Sequence, residues 1–255
     1  MERFITHMFW AYGDLSNLEK ICISSFVSQN YSLNLWTYGG ISNTPAGVIV
    51  RDAREILPEE MVFLNGRGSY ASFSDLFRYA VLNKIGGLYA DTDVIALQPE
   101  STLPENPFLV TEKLQIKKTI KNIVKIKLGL LDQCIVNNNI IFNPYPRENN
   151  LIDIAYNYSL NFPKAEIQWG EIGPLLIDRL VKDNVGHGFL IQDPDYANCI
   201  DWWNCPKDLL VPKSEIPKNA AFLHCYNERW RRAGVNKNAA FPKGSIMAMF
   251  TDQFL

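Results

Sequence analysis

The run from Ser74 to Asp93 constrains this chain more tightly than any other stretch: a helix with one apolar face, a glycine doublet, then two aspartates one residue apart. Phe73, Leu76, Phe77, Ala80, Val81 and Ile85 recur at the spacing of one helical stripe, which predicts a buried helix over 73–85. Gly86-Gly87 stops it, because glycine takes the left-handed backbone that ends helices. Leu88-Tyr89-Ala90 and Val94-Ile95-Ala96-Leu97 then read as strand. Side chains two apart in extended chain share a face, so Asp91 and Asp93 are expected to point into the same small volume. Carboxylates that close repel unless a divalent cation sits with them. A hard ion such as Mg or Mn, which accepts carboxylate, water and phosphate oxygens, suits the position and implies a phosphorylated ligand. Asp75 and Arg78, one turn apart on the helix, are placed to brace one another or to reach that ligand. In isolation Asp-x-Asp is a common turn sequence and Asp75 with Arg78 an ordinary surface pair; the composite pattern sets them apart.

The rest of the chain alternates strand and helix. After a short run following Glu2-Arg3 that looks like a core strand, Asp14 or Ser16 can cap a helix carrying Leu15, Leu18, Ile21, Cys22 and Phe26, and Leu33 to Tyr38 reads as the next strand, a βαβ start. Val48-Ile49-Val50 reads as a short buried strand and Met61 to Leu64 as a further apolar segment. Residues 107–110 and 134–142 read as strands, and Leu175 to Lys182 as a helix opened by Pro174. Asn137-Asn138-Asn139 interrupts the second of those strands. Three buried, unpaired amides are costly, so they either face a ligand or form a turn between two strands.

At 255 residues and 47% hydrophobic, the chain can bury a full core, and no repeat or linker divides it, so 1–255 is expected to be one α/β domain. A net charge of -2 argues against nucleic acid as a partner. Cys22, Cys134, Cys199, Cys205 and Cys225 are odd in number and contain no Cys-x-x-Cys, which points to a reducing compartment. Cys199, Cys205, His224 and Cys225 fit no common zinc spacing. Glu2-Arg3 leads straight into strand sequence without a signal-peptide profile, and no apolar run reaches membrane-spanning length, so a cytoplasmic protein is expected. Residues about 112–130 stand apart as a lysine-rich amphipathic helical insertion, apolar at Ile116, Ile120, Ile123, Val124, Leu128 and Leu131. The preferred reading is a surface helix packed on its own domain; the alternative is peripheral contact with the anionic inner face of the cytoplasmic membrane.

Beyond these readings, the chain resembles the nucleotide-sugar-dependent glycosyltransferases of the Asp-x-Asp type, specifically glycosyltransferase family 32, which includes bacterial capsule and lipopolysaccharide sugar transferases. The catalytic domains of the large clostridial glucosylating toxins look like more distant relatives. The likeness is carried by Ile5 to Gly13, Leu33-Asn34-Leu35-Trp36, the block from Ser74 to Val94, Gly173-Pro174 and His224 through Trp230. It implies a GT-A type, Rossmann-like transferase fold with a mixed central sheet, in which the first strand and its loop hold the nucleotide. Trp10, Ala11, Tyr12, Trp36, Asp75, Arg78, Asp91 and Trp230 then fall at the donor, with Trp10, Tyr12 and Trp36 as stacking candidates whose other reading is core. Asp91 would touch the donor's ribose or sugar, Asp93 the metal, and Asp75 with Arg78 the sugar hydroxyls and diphosphate. Relatives complete the metal site from a C-terminal segment, where this chain has His224; its other reading is a satisfied core histidine. Where members often read Ser-Trp nearby, this chain reads Arg229-Trp230, and Arg229, Arg231 or Arg232 would supply positive charge instead.

The expected chemistry follows. Asp91, Asp93 and Arg78 are the catalytic candidates, and Asp91, Asp93 and His224 the ligands of Mn or Mg, which would stabilise a departing diphosphate as a Lewis acid. By resemblance the donor is a nucleotide sugar, a UDP-hexose foremost. The acceptor is a saccharide or lipid-linked oligosaccharide of capsule or lipopolysaccharide synthesis, and the anomeric configuration is retained by front-face displacement. Glu171 stands in Glu171-Ile172-Gly173-Pro174, near the donor sugar by the same resemblance. Two other classes use paired aspartates: a metal-dependent phosphoester hydrolase or nucleotidyltransferase, and a non-catalytic carbohydrate-binding module holding Ca.

Overall fold

The computed structural model describes residues 4–146, 150–164, 167–185, 187–212 and 215–255. The chain runs through β1 (Ile5–Phe9), α1 (Asn17–Ser28), β2 (Ser32–Thr37), β3 (Ile49–Asp52), α2 (Ala71–Lys84), β4 (Gly87–Ala90), β5 (Val94–Ala96), β6 (Phe108–Lys113) and α3 (Ile120–Lys127). It continues through β7 (Cys134–Asn143), α4 (Leu151–Asn161), α5 (Pro174–Lys182), β8 (Leu190–Gln192), α6 (Pro194–Ala197), α7 (Lys207–Leu210), β9 (Phe222–His224), α8 (Asn227–Ala233) and α9 (Ile246–Phe254). The result is mixed α/β, with a seven-stranded sheet ordered β3-β2-β1-β4-β7-β6-β8 and a two-stranded sheet of β5 and β9. β7 runs antiparallel to both of its neighbours, while the other pairings in the large sheet are parallel.

Alternation along the central strands explains why both faces of the large sheet are covered. Phe9, Trp36 and Tyr89 pack on one side with Phe73, Leu76 and Phe77 of α2, Ile152 of α4 and Ile177 of α5. Met8, Leu35 and Leu88 face the other way, into a cluster with Ile23 and Phe26 of α1 and with Val94, Ala96 and Phe222 of the small sheet. A third cluster joins α1, β5 and β9 to α7, α8 and α9. Ser16 caps α1 through a capping box with Glu19, as its position in the sequence suggested, while Asp14 instead accepts bonds from Ser42. Pro174 opens α5. No described helix is long and apolar enough to cross a membrane.

Two connections position the site. From β1 the chain moves outward to β2 and β3, then crosses back through α2 to β4 on the far side of β1. The order reverses between β1 and β4, and open α/β sheets bind ligands at the carboxyl ends of the strands flanking such a reversal. The α2–β4 joint is tight. Gly86 and Gly87 have φ of 78° and 103°, and a Cβ on Gly87 would lie 2.2 Å from the Ile5 carbonyl oxygen of β1. His7 secures the same corner: its Nε2–H donates to the Gly86 carbonyl at 2.9 Å and its Nδ1 accepts from Trp36 Nε1 at 3.0 Å. Burial, reinforced by Arg51 and only partly opposed by the Gly86 bond, pushes the His7 pKa down to about 4.

Four expectations need correction. β3 is not buried: Ile49 and Val50 are 52% and 45% exposed, because it forms the sheet edge, where an apolar run tolerates water. Ile85 leaves the core stripe, serving as the C-cap of α2 with its side chain 36% exposed. Asp91-Thr92-Asp93 is a turn rather than extended chain, with the Val94 amide bonded to the Asp91 carbonyl, because β4 ends in one sheet and β5 begins in the other. Finally, the lysine-rich insertion does form a helix, but no residue of α3 is buried, so its apolar face is not packed on the domain.

Two outcomes test this corner. Gly87→Ala should lower unfolding free energy by about 3 kcal/mol in urea titration, since positive φ and the approach to Ile5 both oppose a methyl group; an unchanged midpoint would refute the close contact. For His7, the folded pKa lies below the ordinary 6.5, so the unfolded chain takes the proton first. Its contribution is therefore complete above pH 6.5 and is lost as pH falls toward 4, about 3 kcal/mol in all. Urea titrations across that range should show native protein and His7→Gln differing in their pH slope by this amount.

Candidate metal centre

Asp91, Asp93 and His224 each offer one ligand atom, and these atoms lie within 4.8 Å of one another, the sole such group of three or more His, Cys, Asp or Glu side chains among the described residues. Topology brings them together. Asp91 follows β4 in the large sheet, Asp93 precedes β5 in the small one, and the β5–β9 register sets Val94 opposite His224. Asp93 Oδ2 is 3.4 Å from His224 Nε2.

Each of the three is held from behind. The Asn227 amide donates to Asp93 Oδ2 at 2.6 Å, aimed there by Tyr226, whose left-handed backbone (φ 51°) turns the chain between β9 and α8. The Tyr226 ring lies against the His224 imidazole, centroids 3.8 Å apart. Asn198 fixes the histidine's tautomer. Its Nδ2 donates to the Thr111 carbonyl at 2.9 Å, and its Oδ1 accepts from Asn139 Nδ2 at 3.0 Å, so the Oδ1 contact with His224 Nδ1 at 3.1 Å requires a proton on Nδ1. Nε2 is then the atom turned toward the aspartates, where it can share a proton with Asp93 or give its lone pair to a cation.

Asp91 is oriented by Arg78. The guanidinium donates from Nη2 to Asp91 Oδ1 at 2.9 Å, sits 3.2 Å from Asp75 Oδ1, and donates through Nη1 to the Asn138 carbonyl. Its carbon lies 4.9 Å from the centre of the Tyr89 ring. Asp75 is closed in by Asn138, whose Nδ2 donates to it at 2.8 Å and to the Tyr79 hydroxyl at 2.9 Å. On another side is Gly173, where a Cβ would fall 2.6 Å from Asp75 Oδ2.

Burial drives the electrostatics. Asp91 is pushed above the usual carboxylate range by desolvation and by Asp93, against the pull of Arg78. Asp93 falls below it: desolvation opposes ionisation, but the His224 imidazole and the Asn227 amide outweigh it. Burial lowers His224, yet Asp93, Asp91 and Glu112 together raise its pKa overall. Glu112, itself raised by burial, is drawn back down by His224 first and then by Asn137 and Tyr226. A cation at this position would relieve the crowding of the two carboxylates, and two carboxylate oxygens with one imidazole nitrogen form a donor set that a divalent ion can take.

The remaining predicted residues separate. Tyr12 is 38% exposed at the carboxyl end of β1, its hydroxyl bonded to Glu59. Trp10 is half-buried beside it in sequence, with Lys237 6.0 Å from its ring centre. Ala11 is buried and contributes its carbonyl to Thr37 and Tyr38. Trp36 and Trp230 are both 0% exposed and present no open ring face; Trp36 holds His7, and Trp230 bonds the Cys225 carbonyl within the third cluster. Glu171 accepts from the Gln168 amide. Arg231 and Arg232 pair with Glu228, and Arg229 lies over Trp202, so none of the three faces the cluster. The cysteines are all free.

Sequence reasoning missed Asn198, Glu112 and the Asn227 amide. Single polar residues outside a motif carry no spacing signal. Of the two readings of the three amides, the turn is excluded: they lie inside β7 at an irregularity where Leu109 and Val110 of β6 face Ile141 and Asn137. There Asn138 braces Asp75 and Asn139 braces Asn198, although Asn139 Oδ1 stays buried without a partner.

Residues 42–109 match the family model described as the glycosyltransferase sugar-binding region containing a DXD motif. No curated protein matches in sequence. Among solved structures, similarity is found to the PaToxG glycosyltransferase at 16% identity, covering 72% of this chain and 70% of that one, TM-score 0.44. It extends to the galactosyltransferase LgtC, in complex with donor and acceptor sugar analogs, at 15% identity, 86% of each chain and TM-score 0.43. The glycosyltransferase GlyE of Streptococcus pneumoniae TIGR4 is similar at 12% identity, 100% of this chain and 61% of that one, TM-score 0.44. The segment that matches the DXD sugar-binding region runs from before β3 through α2 and β4 to the start of β6, and it carries both Asp91 and Asp93.

Proposed function

We propose that this protein is a metal-dependent, retaining glycosyltransferase that moves a hexose from a nucleotide-diphosphate sugar, a UDP-hexose foremost, to a saccharide acceptor in capsule or lipopolysaccharide synthesis. The observation that carries the reading is the convergence of Asp91, Asp93 and His224 beside the reversal of strand order, within a DXD sugar-binding region. The donor nucleotide, the retained configuration and the pathway rest on the resemblance of the Ser74 to Val94 block. Five unpaired thiols support a cytoplasmic location.

In this reading Asp91, Asp93 and His224 Nε2 hold Mn or Mg. The bound ion supplies Lewis-acid stabilisation of the diphosphate leaving group. Everything else is done by the chain. Arg78 keeps Asp91 aimed at the ion and adds positive potential where negative charge grows on the departing oxygens. Asn198 keeps the proton on Nδ1, so that Nε2 stays a donor of electrons. Tyr12, exposed at the end of β1, offers its ring to the base. Front-face displacement needs no protein nucleophile: the acceptor hydroxyl's proton passes to the diphosphate oxygen that leaves from the same face.

Titration calorimetry and thermal melting test the site directly. UDP should raise the melting temperature only with Mn or Mg present, and Asp93→Asn should abolish both that shift and donor turnover. Stabilisation by Ca and free sugar alone would favour a binding module instead. Asn198→Ala should weaken Mn binding by about 10- to 100-fold while leaving the fold intact, because it frees the imidazole to adopt the wrong tautomer. NMR of the fresh product should show an α linkage from an α-linked donor; a β linkage would exclude retention.

A further inference from the structure

We propose that the lysine-rich excursion between β6 and β7 is a docking element for an anionic phospholipid bilayer, and that it holds the rim of the metal cluster against the lipid surface. The direction in which α3 faces is the first ground. Ile120, Ile123, Val124 and Leu128 fall on one side of the helix and are 84%, 47%, 47% and 65% exposed, whereas the half-buried positions, Asn122 and Ile126, lie on the other. A surface helix of a soluble domain buries its apolar stripe and shows its polar face; α3 leaves Ile120, Ile123 and Val124 in water and turns only Asn122 and Ile126 inward. Leu130, just past the helix, is 68% exposed and extends the same apolar surface.

Charge is the second ground, and it selects the occupant. Residues 113–131 contain six lysines and no acidic residue, so with a whole-chain net charge of -2 the remainder sums to -8. Lys117, Lys118, Lys121, Lys125 and Lys127 are all exposed. Exposed apolar side chains with lysines beside and among them match a layer of hydrocarbon beneath negative headgroups. Lysine stems lie along the apolar zone while the ammonium groups reach the phosphates.

Attachment is the third. The Leu114 amide bonds the Gln133 carbonyl at 2.8 Å, closing the base of the excursion. Directly beneath, Glu112 borders His224, and the Thr111 carbonyl holds Asn198, which in turn holds His224. The excursion is therefore rooted in the strand whose Thr111 and Glu112 support His224, and a bilayer bound by α3 is tethered to that strand. That an acceptor anchored in lipid would be presented there rests on the glycosyltransferase reading; binding to the bilayer does not.

Vesicle flotation of the full chain separates the two. At low salt the protein should float with phosphatidylcholine vesicles containing phosphatidylglycerol and not with phosphatidylcholine alone, and high salt should release it. Lys121→Gln/Lys125→Gln/Lys127→Gln should weaken binding by about 100-fold, each lysine near the surface counting for about five-fold. Ile120→Ser/Ile123→Ser/Val124→Ser should also release the protein. Melting curves of both variants should match the parent, since no α3 residue is buried. Absence of flotation by the parent, equal binding to neutral vesicles, or binding unchanged in both variants would overturn the proposal. So would a solution dimer, seen by sedimentation, that the serine variant dissociates, since the face would then belong to a second copy. None of these readouts depends on donor turnover, and metal-dependent donor hydrolysis in solution should be the same in parent and variants.

Discussion

A guanidinium shut away from water between two carboxylates is the interaction on which this site depends. Arg78 is 4% exposed, with Asp75 at 3.2 Å and Asp91 at 2.9 Å from the same nitrogen. Burying three charges is costly, and the cost is offset only when geometry and further hydrogen bonds are complete. Here the fork of the arginine also reaches the Asn138 and Ser74 carbonyls, and Asn138 returns a bond to Asp75. Lysine could not make that set of contacts, because it has one nitrogen where arginine has three in a plane. The network takes Asp75 and Arg78 from α2, Asp91 from the end of β4 and Asn138 from β7, so it fixes three elements relative to one another as well as orienting one acid.

The second acid and the histidine belong to a different layer. Between Asp91 and Asp93 the chain leaves the large sheet, and β5 finds its partner in β9, some 130 residues further along. The metal group is consequently assembled by strand pairing. Val94 opposite His224 puts the imidazole beside Asp93, and a shift of that register by one residue would turn His224 to the other face. Asn198 and Asn139 then link β9 back to β7, closing a polar chain from one sheet to the other.

What the sequence disclosed was the part governed by local period and turn chemistry. The stripe from Phe73 to Val81, the stop at Gly86-Gly87, the βαβ opening and the Pro174 start of α5 are short-range signals, and they appear where expected. The composite around Asp91 and Asp93 was legible for the same reason. Readings that depended on long-range context went astray. Val48-Ile49-Val50 looks buried because only the sheet order reveals an edge, and Asp91-Thr92-Asp93 looks extended because only the pairing reveals a change of sheet. An aromatic residue gives no sign of which side it faces, so Trp36 stays a stacking candidate beside its core reading and Trp230 is placed at the donor by resemblance, where the structure buries both. Asn198 is one asparagine among many until His224 is seen against it.

The division of the cluster between two sheets has a mechanical meaning. The acid from β4 and the imidazole from β9 sit in different sheets, joined by side-chain packing, a turn of three residues and the Asn139–Asn198–His224 bonds, so their separation is set by how the two layers pack. A divalent ion gripped by both would act as a crosslink across that plane. Ion affinity and resistance to shear then become two measures of the same free energy, and a change of packing far out in the C-terminal helices is felt as looser or tighter coordination.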